Sequence, residues 1–371
     1  MNLTISKKDF LRLLARCQGI ASKKATMPAL TAVLLTATKA GAVHIAATDM
    51  FMVVTDSGAA EVATPGAVAV NARDMFARVA TMPEGPLTVS MKADKMTIAA
   101  KGSARKFTIS TIPASDFPEL PTITGDAPKL EVDADELVRL IDLVKMAIAI
   151  DETRPMMNSA LFEWAQNRIR MVATNGHMLS VADHAMTHDV KAEMLVPLRA
   201  LNEVHKLASG AAGAIAMRPV ESRLFFEVGS VRFGVKLVDV QFPPYAQVMP
   251  KSSAGVVKVS RAALAEALQA VRLVAGPAKA TRFTVSEKVL RLSGESPGAG
   301  DGEDEVACDG WTLPPVSVGF NAEYVGDTLA AMNCDVATIG FGGELDPMVV
   351  RPDGASDHVA VIMPMKISPT G

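Results

Sequence analysis

The 371-residue chain is 49% hydrophobic and 21% charged, which excludes a disordered chain. At about 100–200 residues per domain, this length predicts two to four domains. A net charge of −3 argues against a protein that coats nucleic acid through overall positive charge, but not against one that gathers Lys and Arg on one surface.

In chain order, Leu3 and Ile5 alternate as a short strand, and Ser6 is a helix N-cap. Phe10, Leu14 and Cys17 follow at helical spacing. Strand-like runs ALTAVLLTAT and VHIAATD precede a second helix over 71–83. LTVSMKADKMTIAA then reads as two strands broken at KADK, and STIPASDFPELP as a linker. The pattern starts again 127 residues on, at Leu130 and Val132, with Asp133 as cap and Leu137, Ile141 and Val144 as the helical stripe. SALFEWAQNRIRMVATNG breaks at AQNR, a helix is predicted over 197–209, RLFFEVGSVRFGVKLV is strand-like, and KLVDVQFPPYAQVMP is a second linker. After a further 127 residues come Val257, Val259, the cap Ser260 and the stripe Leu264, Leu268 and Val271. RFTVSEKVLRLSG, a helix over 321–333 and the extended AVIMPMKISP complete this copy.

These repeats predict an α+β chain of three tandem domains, 1–125, 126–253 and 254–371. Each should carry two helices on antiparallel sheets of about eight strands. Three copies without a shared polar constellation favour an architectural role over catalysis.

The motifs that suggest chemistry fail on mechanism. Gly294-Glu295-Ser296-Pro297-Gly298 has the spacing of a serine nucleophile, but Pro297 lacks the N–H that an oxyanion hole needs. The AGDGEDE that follows reads as a flexible acidic loop. His184 and His188 are four apart without the Glu of a zinc helix, and read as surface histidines at a strand end or loop. The glycines of GAGDG have no Lys, and their acids would repel phosphate. Asp133, Asp135 and Glu136 complement a helix dipole. No enzyme, cofactor or metal is expected. Cys17, Cys308 and Cys334 give no disulfide framework and suggest a reducing cytosol. The N-terminus lacks a signal-peptide core, and no apolar run predicts a membrane span.

One asymmetry survives. Lys7, Lys8, Arg12, Arg16, Lys23 and Lys24 crowd the first helix region against Asp9 alone, and Arg73 and Arg78 lie on the second helix. Such a cluster is either a solvated face or a sequence-blind surface for phosphates. The scarcity of aromatics there argues against base stacking.

KATMPALTAVLL (24–35), STIPASDFPEL (110–120), VATNGHMLSV (172–181), KLVDVQFPPY (236–245), GFNAEYVGDTL (319–329) and AVIMPMKI (360–367) together resemble the bacterial DNA polymerase III beta subunit, the sliding clamp. The resemblance spans the whole chain in the three-repeat register. It implies a non-catalytic processivity factor in the cytoplasm, at the nucleoid: a head-to-tail homodimeric ring threaded by double-stranded DNA. Its partners would be the replicative polymerase subunit, an ATPase clamp loader and other proteins bearing clamp motifs. The resemblance places Lys24, Arg73 and Arg199 at DNA, and Phe107 and Ile109 against Leu273 and Val274 of a second copy. A pocket for partner peptides would be built from Met157, Thr174, Gly176, His177, Leu179, Pro243, Val248, Tyr324, Leu345, Pro347, Val361, Ile362, Met363, Pro364 and Met365. At least one of the adjacent Val361 and Ile362 should be core, since strand neighbours point to opposite faces. Met178, Gln247 and Leu198 stand where relatives often carry a basic residue, and Ser368–Gly371 continue past the usual end at Ile367. The alternatives are a ring or scaffold of the same fold without a DNA role, and an enzyme on a triplicated scaffold.

Overall fold

The computed structural model describes residues 1–123, 125–276 and 279–367. Six helices fall where the repeats place them: α1 Lys7–Cys17, α2 Ala72–Thr81, α3 Ala134–Lys145, α4 Leu198–Ala208, α5 Arg261–Val271 and α6 Ala322–Ala331. Ser6 accepts from the Asp9 N–H at 3.0 Å to open α1, and Ser260 accepts from the Ala263 N–H to open α5. Asn71 and Asn321 cap α2 and α6 in the same way. Phe10, Leu13, Leu14 and Cys17 form the buried stripe of α1, and Leu264, Ala267, Leu268 and Val271 that of α5.

One compact unit is formed by Met1–Ala134 with Asn202–Leu237. It holds a five-stranded sheet in the order Glu61–Thr64, Asn2–Ser6, Pro86–Lys92, Lys95–Ala100, Lys106–Ser110. Its second sheet has nine strands and crosses a repeat boundary: Met52–Ala59 of the first repeat pairs antiparallel with Val231–Lys236 of the second. The other unit comprises the described residues of Asp135–Leu201 and Val238–Gly371, with a twelve-stranded sheet. That sheet crosses the next boundary where Met178–Ala185 pairs antiparallel with His358–Ile362.

Both expected hairpin breaks are turns, with Ala93 and Asn167 at positive φ. Three expectations need correction. The acidic GDGEDE segment is not a loop: Gly300–Asp309 is a strand whose residues 300–307 pair with Val289–Ser296, with Asp301, Glu303 and Glu305 exposed on one face, Val306 and Cys308 buried on the other, and Asp304 half-exposed on that second face. The two linkers are strapped onto sheets rather than free. Phe117 packs with Ala29, Ala32 and Ala69, and Phe242 joins a core cluster with Leu179 and Val361. Finally, His188 is buried, with Nε2 3.1 Å from the Arg168 carbonyl.

Candidate functional site

The turn Thr174–Met178 is fixed by its own side chains. Thr174 Oγ1 donates to the Met178 carbonyl at 2.7 Å, and Asn175 Oδ1 accepts from the N–H groups of His177 and Met178, both at 2.9 Å. Gly176 takes a φ of 90°, and a Cβ there would lie 3.9 Å from the Met157 methyl. The turn therefore presents backbone and an exposed His177 beside Met157. The Met363 N–H donates to the His177 carbonyl at 2.9 Å, so the chain leaving strand His358–Ile362 runs along the turn. Met363, Pro364 and Met365 are half-buried, and Met365 bridges to Gly319, in the strand that leads into α6 and Tyr324.

Strand alternation then sorts the remaining pocket residues. Leu179, Val361 and Val349 lie opposite one another and point to the face covered by Phe242, Tyr245 and Met249. Met178, Ile362 and Met348 form the adjacent row and point the other way. Val361 and Ile362 are therefore both core, with 1% and 0% exposure, and Leu179 is buried with them. These three lie beneath the surface and would not line the expected pocket. Met178, which stands where relatives often carry a basic residue, is buried too. Pro243 is half-buried and Val248 exposed, at the two ends of the turn Tyr245–Gln247. Pro347 leads into strand Met348–Pro352, and Leu345, 82% exposed, stands out on the preceding turn. Tyr324 is half-exposed on α6. Ser368–Gly371 lie outside the described residues.

Sequence reasoning missed the group that anchors this connector. Glu163, Arg170 and Asp183 face one another across three neighbouring strands. Arg170 donates to both Asp183 carboxylate oxygens at 2.7 Å, which holds its guanidinium well above the ordinary arginine range. Tyr245 Oη donates to Glu163 at 2.7 Å and accepts from Arg170 at 3.3 Å. Burial raises the tyrosine's pKa. The available signal was the position of Glu163 and Arg170 on either side of the AQNR turn, as a cross-strand pair.

The basic cluster is partly neutralised. Lys7 pairs with Glu84 at 2.7 Å. Arg12 pairs at 2.7 Å with Asp56, a fully buried carboxylate, Arg16 lies 4.0 Å from it, and Arg78 pairs with Asp74. Those arginines and Lys7 are in large part structural. Lys24 is exposed on the segment between α1 and the next strand. Arg73 and Arg199 are exposed in the first turns of α2 and α4. A helix N-terminus disfavours a cation, so neither arginine is explained by helix stability.

Two stretches of strand, one basic and one acidic, each have a partner on one side only among the described residues. Lys106–Ser110 ends the five-stranded sheet, with Ile109 buried and Phe107 half-exposed. Ile109 thus belongs in large part to its own sheet's core, opposite Met96. Lys101, Arg105 and Lys106 are exposed around this edge. In strand Gly300–Asp309, Cys308 and Asp309 pair with Gly255–Ser260, whereas the acidic first part pairs only with Val289–Ser296 among the described residues. Val274 packs over Gly302, where a Cβ would sit 3.1 Å from its Cγ2, and Leu273 beside it is 80% exposed. Asp301, Glu303 and Glu305 are exposed and Asp304 is half-exposed, and Glu305 is held by Arg291 at 2.6 Å.

No cluster able to hold a metal occurs among the described residues. His184 lies 3.0 Å from Glu136, not against His188. No helix among them is long and apolar enough to cross a membrane.

Comparison with known proteins covers nearly the whole chain. Family models described as the N-terminal, central and C-terminal domains of the DNA polymerase III beta subunit match residues 1–121, 131–244 and 246–366. The beta sliding clamp of Caulobacter vibrioides is 26% identical over 375 residues, covering 99% of this chain and all of the relative. That of Escherichia coli K12 is 25% identical over 371 residues, with the same coverage. Among solved structures, the sliding clamp of Pseudomonas aeruginosa superposes with a TM-score of 0.91 at 25% identity. The griselimycin-bound sliding clamp of Bartonella birtlesii gives 0.92 at 27%. Each covers 99% of this chain and all of its own.

Proposed function

The chain belongs to the DNA polymerase III beta subunit family, and we infer that it is a sliding clamp: a non-catalytic ring that encircles duplex DNA and tethers the replicative polymerase. The observation that carries this reading is the ordered match of all three family domains along one chain whose three repeats each place two helices on antiparallel sheet. We place the domain boundaries at 1–125, 126–253 and 254–371.

Two copies close the ring head to tail. The basic edge at Lys106–Ser110 of one copy meets the acidic edge at Gly300–Asp309 of the other, so both unpaired strand edges are covered and like-with-like pairing is repelled. Half-exposed Phe107 and exposed Leu273 are the apolar groups for that joint, with Ile109 and Val274 behind them. Lys24, Arg73 and Arg199 face phosphates without reading bases, which allows sliding.

The Met157–Gly176–Met363 surface takes short peptides carrying Gln and Leu or Phe, offered by the polymerase, the loader and other clamp-motif proteins. Methionines there can repack around different side chains. Holding the polymerase at high effective concentration at the primer end gives processivity. The ring works in the cytoplasm, at the nucleoid, and relies on a separate ATPase to open it.

Primer extension on a long, singly primed circle tests the function. With polymerase, loader, ATP and the chain, full-length products should form in one binding event under a competitor trap. Product lengths that do not change when the chain is left out would refute the reading.

A further inference from the structure

We propose that the Tyr245 hydroxyl positions the Pro243–Val248 wall of the partner pocket, so that the charged row beneath it sets peptide affinity without touching the peptide; this rests on the pocket reading above. The connector is pinned at three points. The Val238 N–H donates to the Leu195 carbonyl at 3.0 Å, Phe242 is buried in the sheet's cluster, and Tyr245 Oη reaches Glu163. The first two pins lie before the wall. Within the turn that ends at Val248, whose N–H donates to the Tyr245 carbonyl at 3.1 Å, the Tyr245 hydroxyl supplies the polar tie to the sheet, and Met249 packs on the same cluster just beyond it. Phe242 meets the Tyr245 ring edge-on at 6.2 Å, which fixes the ring's direction but leaves its height over the sheet to the hydroxyl.

The hydroxyl's seat is preformed. Arg170 is locked by both oxygens of Asp183 and presents a further N–H to Tyr245 Oη, so the hydroxyl proton is directed to Glu163. Charge-assisted bonds of this kind are short and directional, as a positioning contact requires. A connector held only by apolar packing could slide by a fraction of an ångström, and Pro243 and Val248 would move with it.

A double-mutant cycle tests the proposal, read by calorimetry with a synthetic Gln- and Leu/Phe-bearing peptide from the replicative polymerase. Tyr245→Phe should weaken binding about fivefold, the scale of one ordinary net hydrogen bond. Val248→Ala should then cost less in the Tyr245→Phe background than in the native chain, whereas Leu345→Ala, on a separate turn, should cost the same in both. Glu163→Gln keeps an acceptor for the hydroxyl and should retain most of the affinity; Glu163→Ala should not. Native affinity in Tyr245→Phe, or equal coupling to Val248 and Leu345, would overturn the proposal.

Hydrogen exchange supplies a readout that needs no peptide. The Val248 amide should exchange faster in Tyr245→Phe while those of strand Arg168–Thr174 are unchanged, and an unchanged Val248 amide would also overturn it. A native chain that binds no peptide, with Val248 loosened in the variant, would sink the pocket reading and leave the anchor intact.

Discussion

His358 is buried at the seam between the second and third repeats, on strand His358–Ile362. Ser180 Oγ donates to the Leu143 carbonyl at 2.6 Å, so the imidazole Nε2–H donates to Ser180 at 3.0 Å, while the buried Nδ1 has no acceptor for a second proton among the described residues. Burial pushes its pKa down from 6.5 to about 4, against a smaller opposing effect of Asp357. Between those values the unfolded chain holds a proton that the folded chain does not, so stability falls as pH drops from about 6.5 towards 4. The full loss is on the order of 3 kcal/mol. Urea unfolding at pH 7, 5.5 and 4.5 should show it, and His358→Leu should flatten that decline; a native-like acid limb in the variant would count against it. At the same scale, Lys24→Ala with Arg73→Ala should weaken DNA association and flatten the slope of log K against log salt by about 2, leaving the oligomer intact. Fluorescence anisotropy across a salt series reads both, and an unchanged slope would remove these two residues from the DNA face. Part of the neutralisation of the basic cluster was not legible in the sequence because some ion-pair partners are remote: Asp56, which takes Arg12, is 44 residues away. Charge counts see the cations, while the fold supplies the carboxylates.

Helices and hairpins were largely legible, since caps and periodicity are local. Asn71, Ser260 and Asn321 fix helix starts within a residue or two of their expected places. What the sequence could not give was how elements cover one another. Val361 and Ile362 differ in facing, as strand geometry requires, yet both are buried because the connector around Phe242 covers one face and the other lies on the side of Ser180 and α3. GDGEDE has a related cause: glycines and acids suggest a loop, but a strand with one solvated face accepts Asp301, Glu303 and Glu305 at alternate positions, and Asp304 on the other face stays half-exposed. The same turn also occurs twice, unseen in the sequence. Thr48 and Asp49 hold Met50 and Phe51 as Thr174 and Asn175 hold Gly176 and His177, and the Lys236 N–H donates to the Phe51 carbonyl as Met363 does to that of His177. Only the second copy has glycine at the left-handed position; Met50 adopts it with a φ of 76°. Leu273→Asp should give a folded monomer by light scattering with native circular dichroism if, as proposed, it places a charge in the edge joint; a persistent dimer would refute that joint. Met363→Asp should abolish binding of the polymerase peptide while the dimer persists.

At the scale of the whole molecule, the threefold repeat at a spacing of 127 residues carried the architecture, and no catalytic motif survived mechanical scrutiny. Sheets that continue across the repeat boundaries, at Met52–Ala59 with Val231–Lys236 and at Met178–Ala185 with His358–Ile362, were not legible, because strand pairing between repeats depends on placement rather than on pattern. Ring closure is the claim on which the function depends, and its signature is topological. The chain should be loaded by loader and ATP onto nicked circular DNA, washed at high salt, and followed after the circle is cut. The account predicts retention on the closed circle at salt concentrations that abolish ordinary phosphate contacts, with prompt release once a restriction enzyme makes an end. Release from the uncut circle at high salt, or retention on the linear product without end blocks, would contradict an encircling clamp.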